Sequence, residues 1–254
     1  MSDRAAVEVF HLAFLRSLVV GPTEKAHVTV KGGCNLRFFF KSPRYSEDMD
    51  LDVGVIAPGT LKKNVDKLLS GPQLGRQLSA LGLGIRESTA PKQTETTQRW
   101  KIQLETENGT NLPTKIEFSR RPAEDDAELA SVDRTLLDTY GLASVNARHY
   151  TFSAAIRQKV RALAQRKIAQ ARDVFDLDLL LTRAGRAATD PTHTRDILDI
   201  LDGAQKRALS ISHDEYSAQV IAYLTPEEQE LYRSEDTWEQ MRIHVADTLE
   251  RMKP

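Results

Sequence analysis

The sequence predicts an α/β (α+β) protein in which a mixed-sheet domain with helices is followed by a mainly helical domain. Three observations lead there. Between residues 27 and 118, short β-branched or alternating segments trade places with stretches of helical spacing. Asn108-Gly109 joins two alternating segments as a hairpin turn. From about residue 152 the apolar residues keep helical spacing almost to the end. The composition changes near the acidic connector 122–128, so the expected domains are 1–125 and 126–254, with the transition within 125–150.

The elements follow in order. Residues 4–20 carry Val7, Phe10, Phe14 and Leu18 on one helical face, and Gly21-Pro22 stops that helix. His27–Val30 is a short strand. Gly32-Gly33 follows, and 34–40 reads as a helix with Leu36, Phe39 and Phe40 inward. Pro43 makes 41–44 a loop, and 49–56 is the second strand, ended by Pro58-Gly59. Residues 60–82 are helical with breaks at Gly71-Pro72 and Gly75. The polar stretch 87–98 lacks a core-forming pattern and is expected as a mobile loop or ragged hairpin. Residues 100–107 and 112–118 are strands, the second weakened at its start by Pro113. Helices are expected at 153–168, 171–184, 190–209, 212–223 and 226–252, separated at Gly185, Asp190-Pro191 and Pro226.

Composition narrows the function. The net charge of −1 over 254 residues excludes a simple polycation, so contact with nucleic acid needs a local patch. Cys34 is the only cysteine, which excludes an internal disulfide and a thiolate metal cluster. The six histidines are too scattered for a metal site and are read as structural. Glu8, His11 and Arg16 interrupt the apolar N-terminus, which is therefore neither a signal peptide nor a membrane span, and the expected location is cytoplasmic.

The segment SEDMDLD holds Asp48, Asp50 and Asp52 in strict alternation. Same-face neighbours on a strand stand roughly 6.5 Å apart, so the three acids share one face and Met49, Leu51 and Val53 the other. Adjacent carboxylates repel unless a positive charge lies among them, which a hard divalent cation supplies. A plainly solvated strand edge explains the same stripe. Glu117 alternates with Ile116 and Phe118. If its strand lies beside 49–56, a third carboxylate joins the stripe and suits a two-metal site; otherwise it pairs with Lys115 or Arg120. Gly32-Gly33, between strand and helix, allows a phosphate to approach backbone N–H groups, though tight turns use the same dipeptide. Cys34 starts the helix, where its pKa could fall.

Gly-Gly, a helix, then Ser46-x-Asp48-x-Asp50-hydrophobic resembles the signature of the nucleotidyltransferase superfamily that includes DNA polymerase β. From Lys31 to Asp52 the chain is most similar to the AbiEii/MenT-type branch, nucleotidyltransferase toxins of bacterial toxin–antitoxin and phage-defence systems. A second block, Gln158 to Leu177, also matches, so the resemblance covers about 25–185. It implies that Asp48 and Asp50 are catalytic metal ligands, with Glu117 as third carboxylate and Asp52 one step beyond the usual pair. It implies that Gly32, Gly33 and Ser46 contact the triphosphate, and that Lys159 and Asp173 are the lysine and acid of the later motifs. The spacing from Gly33 to Asp48 is slightly longer than in minimal superfamily members. The helices after 185 carry no assignable motif.

On the helix 153–168, Ile156, Val160 and Leu163 make an apolar stripe, with Lys159 and Arg166 at its edge. They are expected to reach a nucleotide held by the first domain, Lys159 as a point charge on a phosphate. Arg157, Lys159, Arg161, Arg166, Lys167 and Arg172 occur without an intervening acid. Six such cations suggest phosphate binding; the alternative is a solvated face paired with the connector at 122–128. Asp173 either caps its helix, orients a cation or acts as a base. Asp176 is expected in a salt bridge, to Arg172 or Arg166.

The resemblance thus implies transfer of a nucleoside monophosphate from an NTP, with Mg²⁺ or Mn²⁺, to an RNA acceptor, the 3′ end of tRNA among the candidates. An antitoxin is the implied protein partner, and no membrane is involved. Two rivals stay open: transfer of a nucleotide or phosphate to a protein or small molecule, and an inactive nucleotide-binding interaction module.

Overall fold

The computed structural model describes residues 1–120, 126–185 and 194–253. The chain divides into two compact units, one comprising Met1–Lys41 and Tyr45–Tyr150, the other Ser42–Arg44 and Thr151–Pro254.

In the first unit, helix α1 (Asp3–Leu18) is capped by the Ser2 side chain on Ala5 N–H and is buried along most of its length. Helix α2 (Pro22–His27) leads into β1 (Val28–Lys31), α3 (Gly32–Phe39) and β2 (Met49–Val53). Helices α4 (Pro58–Leu69) and α5 (Pro72–Ser79) each begin with a proline, which spares an N–H that the helix could not use. The long hairpin of β3 (Leu83–Gln93) and β4 (Thr97–Thr106) precedes β5 (Asn111–Ser119). Strand β6 (Ala127–Ser131), helix α6 (Arg134–Thr139) and strand β7 (Asn146–Tyr150) complete the unit.

These strands form one mixed sheet in the order β3-β4-β5-β2-β1-β7-β6. β2 runs antiparallel to β1 and parallel to β5, and β1 runs parallel to β7. Leu112, Ile116 and Phe118 of β5, Trp100, Ile102 and Leu104 of β4, and Met49 and Leu51 of β2 pack with Phe10, Phe14 and Leu61 into the core.

Two details differ from the sequence reading, and one open alternative is decided. Residues 126–150 belong with the sheet, because β7 pairs with β1 and carries β6 on its far edge, while Ser42–Arg44 goes with the helices. Of the two expectations for 87–98, the ragged hairpin is the one found: the stretch is largely strand, with register shifts at Ile85/Glu87 and Thr89/Lys92. Helix α3 starts two residues early, and Phe38 takes the core position assigned to Phe39, which stacks on His149 at 3.8 Å. The connector's residues 121–125 and the break at Asp190-Pro191 lie outside the described residues.

The second unit is helical. Its members are α7 (Phe152–Gln165), α8 (Ala171–Ala184), a 3₁₀ segment (Arg195–Ile200), α9 (Leu201–Ser210), α10 (His213–Gln219), a short 3₁₀ turn (Ile221–Tyr223), α11 (Pro226–Tyr232) and α12 (Glu235–Arg251). Val160, Leu163, Leu177, Leu180, Leu201 and Val245 are buried, and Tyr216 stacks on Trp238 with ring centres 4.3 Å apart. The expected helix 226–252 is broken at Arg233–Ser234, where Ser234 caps α12 on Thr237 N–H. Among the described residues no helix is long and apolar enough to cross a membrane.

Candidate active site

The central strand β2 carries the acids. Asp50 sits level with Glu117 of β5 on one side and with Lys31 of β1 on the other. The parallel β2–β5 pairing therefore brings the third carboxylate beside the stripe. Period-two alternation points Leu112, Thr114, Ile116 and Phe118 of β5 into the core and leaves Lys115 and Glu117 on the opposite face.

The four acids have unlike surroundings. Asp52 is buried, meets Lys31 Nζ at 2.5 Å and accepts a 2.7 Å hydrogen bond from Tyr150 Oη, so it is fully satisfied by the protein. Asp48 precedes β2 and is held by Lys115 Nζ. Glu117 is held by the Arg99 guanidinium at 2.5 Å. Asp50 is the exception: among the described residues its carboxylate accepts no hydrogen bond. Burial raises its pKa; Lys31 opposes that rise, while Asp48 and Glu117 add to it.

Gly32 makes this arrangement possible. It ends the turn from β1 into α3 with φ +64, and a Cβ there would stand 3.2 Å from Asp50 Oδ2. Only glycine combines that left-handed backbone with so close an approach. Gly33 lies in the first turn of α3, where helical N–H groups have no partners within the helix and the N-cap residue Lys31 gives no side-chain bond. Ser46 Oγ donates to the Asp48 carbonyl at 2.8 Å. Cys34 does not have the lowered pKa expected from its helix position: burial, with Asp50, Glu8 and Asp48 nearby, raises its thiol well above the ordinary value.

A divalent ion fits this donor set. Among the described residues no three of His, Cys, Asp and Glu converge tightly enough to hold one as they stand, because Asp48 and Glu117 turn to their cations. The half-buried Asp50 carboxylate with no donor and two further carboxylates beside it are nonetheless the oxygen ligands that Mg²⁺ or Mn²⁺ prefers.

The second unit gathers the other predicted residues. Asp173 is fully buried near the start of α8, with Lys159 Nζ 3.0 Å from Oδ1 and Arg166 Nε 2.9 Å from Oδ2. It does not cap the helix; Gln170 occupies that position. Asp176, also fully buried, meets Lys159 at 2.6 Å and Arg44 at 3.0 Å, not Arg172 or Arg166 as the sequence suggested. Burial would raise its pKa, but Arg44 and Lys159 hold it below the ordinary value.

The cation run is also less bare than it reads. Arg157 and Arg161 both meet Asp196, and Lys159 and Arg166 meet Asp173, so four of the six cations have acids from outside the run. Asp173 stands just past the end of the run and Asp196 farther along the chain, so counting charges within 157–172 overstates the free positive charge.

The family model for the AbiEii nucleotidyl transferase toxin of type IV toxin–antitoxin systems matches residues 13–253. The chain belongs to that family. The match takes in the helices after 185, beyond the reach of the motifs, and with it the activity class of the family, nucleotidyl transfer. Among solved structures, the fold resembles MenT4, a nucleotidyltransferase toxin of Mycobacterium tuberculosis. That likeness has a TM-score of 0.68 at 18% identity and covers 97% of this chain and 84% of that one. JHP933 from Helicobacter pylori aligns with TM-score 0.58 at 19% identity over 99% and 95% of the two chains. At these identities the neighbours show the fold. Among curated proteins none matches the chain in sequence.

Proposed function

We propose that this toxin is a divalent-metal-dependent enzyme that moves a nucleoside monophosphate from an NTP to an RNA acceptor, with Asp48, Asp50 and Glu117 as the metal-holding acids. The observation that carries the reading is Asp50: half-buried, disfavoured as an anion, without a hydrogen-bond donor, and level with Glu117. Such a group is costly to keep unless a cation completes it.

When bound, a divalent ion would neutralise charge on the reacting phosphate and on the leaving pyrophosphate. The protein's own part is largely positioning. The N–H groups at Gly32-Gly33 receive the triphosphate, joined by the Ser46 hydroxyl once it turns from the Asp48 carbonyl. Asp52 fixes Lys31 at the edge of the stripe. An acceptor hydroxyl attacks the α-phosphorus in line and gives up its proton to solvent, the bond to the bridging oxygen breaks, and pyrophosphate leaves with the electron pair. The proposal includes the role that the resemblance gives Lys159 and Arg166, charge on a bound nucleotide, with Asp173 holding both cations in place.

RNA as acceptor, including the 3′ end of tRNA, rests on the family resemblance. The ion pairs within 157–172 favour a second reading, a protein or small-molecule acceptor, because less cationic surface is left for a polyanion. One experiment separates them. The protein is incubated with Mg²⁺, each α-labelled NTP in turn and total cellular RNA and protein, beside Asp48→Ala. Label in an RNA band with the wild type alone supports the proposal and names nucleotide and acceptor. Label on protein moves the second reading forward, and equal label with Asp48→Ala removes the acids from the reaction.

A further inference from the structure

The ladder between β2 and β5 begins at Met49↔Ile116, one residue after Asp48. The carbonyls of Glu47 and Asp48, which precede it, are held by side chains. Thr114 Oγ1 donates to Glu47 O at 2.7 Å, Ser46 Oγ donates to Asp48 O at 2.8 Å, and Cys34 Sγ lies 3.4 Å from the same oxygen. Behind them stands His11 of α1, its Nε2 2.8 Å from Thr114 Oγ1 and its Nδ1 3.8 Å from Cys34 Sγ.

Proton counting fixes the directions. Thr114 has one hydroxyl proton and gives it to Glu47, so its oxygen accepts from His11, whose proton is therefore on Nε2. That leaves Nδ1 as an acceptor facing the thiol, whose single proton goes either to Nδ1 or to Asp48 O. Burial drives the His11 pKa down to about 3, so the ring is neutral, and the Cys34 thiol keeps its proton. All three side chains are buried beneath the sheet. Apolar residues would fill this space without the cost of burying polar groups; a hydrogen-bonded polar network instead fixes one geometry.

We infer that His11, Thr114 and Cys34 form a buried bracket that sets the main chain at Glu47 and Asp48, and so where the Asp48 carboxylate stands beside Asp50. They are positioning residues, and the inference rests on the reading of Asp48 and Asp50 as a divalent-ion site. Partners behind metal ligands commonly change affinity by about 10–100-fold when lost.

Direct titration with Mn²⁺, without nucleotide, tests this alongside thermal melts and the labelled-transfer assay. Thr114→Val keeps the shape and loses both hydrogen bonds. It is expected to weaken Mn²⁺ binding by about tenfold and to lower kcat in transfer more than it changes the KM for NTP. Thr114→Ser, which restores the hydroxyl, should bind Mn²⁺ within about twofold of wild type by the same reasoning. Thr114→Val binding as wild type does would overturn the bracket. So would a loss in Thr114→Ser equal to that in Thr114→Val, since Thr114→Ser keeps the hydroxyl and the hydroxyl would then not be what holds Glu47. Should Thr114→Val not melt cooperatively, Cys34→Ala removes the thiol that faces both Asp48 O and His11: weakened Mn²⁺ binding supports the bracket, and unchanged binding overturns it. Asp50→Asn guards the underlying reading; if it binds Mn²⁺ like wild type, the assignment of the acids fails, whatever Thr114 does.

Discussion

Replacing Gly32 by alanine should harm this protein in two separable ways. The first is backbone strain. At φ +64 an L-residue is held in the left-handed region, which costs about 1–2 kcal/mol. For a chain of this size each kcal/mol is worth about 2–4 °C, so the melting temperature should fall by roughly 2–8 °C. The second is local. The new Cβ would lie 3.2 Å from Asp50 Oδ2, closer than ordinary van der Waals contact, so the carboxylate must shift by some tenths of an ångström. Misplacement of a reacting group by about 1 Å can cost about 100-fold in rate, and the smaller shift here suggests about a tenfold loss of transfer. Gly109 supplies the control. Its φ is +76, and a Cβ there meets nothing within 4 Å. Gly109→Ala should therefore melt early like Gly32→Ala while transferring label like wild type. Thermal melts by circular dichroism and labelled-NTP incorporation decide the matter. Equal activity in the two variants would refute the claim that Gly32 is there to admit Asp50.

Asp50→Asn should abolish transfer yet raise the melting temperature at neutral pH. An acid whose folded pKa is raised stabilises the protein fully below its unfolded value and loses that contribution as pH rises through the folded value; the amide removes the loss. A melting temperature below wild type across pH 5–8 would contradict this account of Asp50. In the helical unit, Asp176→Ala takes the carboxylate from the buried Arg44, and removing one partner of such a pair costs about 3–5 kcal/mol; a chemical-denaturation loss under about 1 kcal/mol would place that ion pair with weak surface pairs instead. The Asp176 pKa is lowered, so this contribution is present above its unfolded value and disappears as pH falls through the folded one. Lys159→Ala, which strips one cation from both Asp173 and Asp176, should also destabilise the protein, so its activity has to be read at a temperature where the variant is folded.

The acid stripe was legible because a strand's period of two leaves a plain mark when one face is apolar. The same alternation in β5 gave the face of Glu117, but its place beside Asp50 came only with the β2–β5 pairing; Gly32-Gly33 was visible by its place between strand and helix. Longer-range features left less trace. Strands β6 and β7 are five residues each and follow an acidic connector, so they looked like a linker until β7 paired with β1. The hairpin of β3 is exposed over most of its length, and without a buried face it shows no alternation. Partners distant in sequence were hidden as well: Arg44 meets Asp176 across 132 residues, and His11 meets Thr114 across 103. For Cys34, the helix start suggested a reactive thiol, but the burial that keeps it inert is a tertiary property. The position of His11 within an apolar helix, and of Thr114 on the core face of β5, were the signals that could have marked the bracket.

The proposed reaction is tested most directly by following both ends of the nucleotide. Parallel incubations with α-labelled and γ-labelled NTP, with and without Mg²⁺, would be run on wild type and Asp50→Asn. Nucleotidyl transfer predicts the α-label on the acceptor and the γ-label in free pyrophosphate, only with wild type and only with Mg²⁺. The γ-label on the acceptor, or transfer that persists in Asp50→Asn, would contradict it.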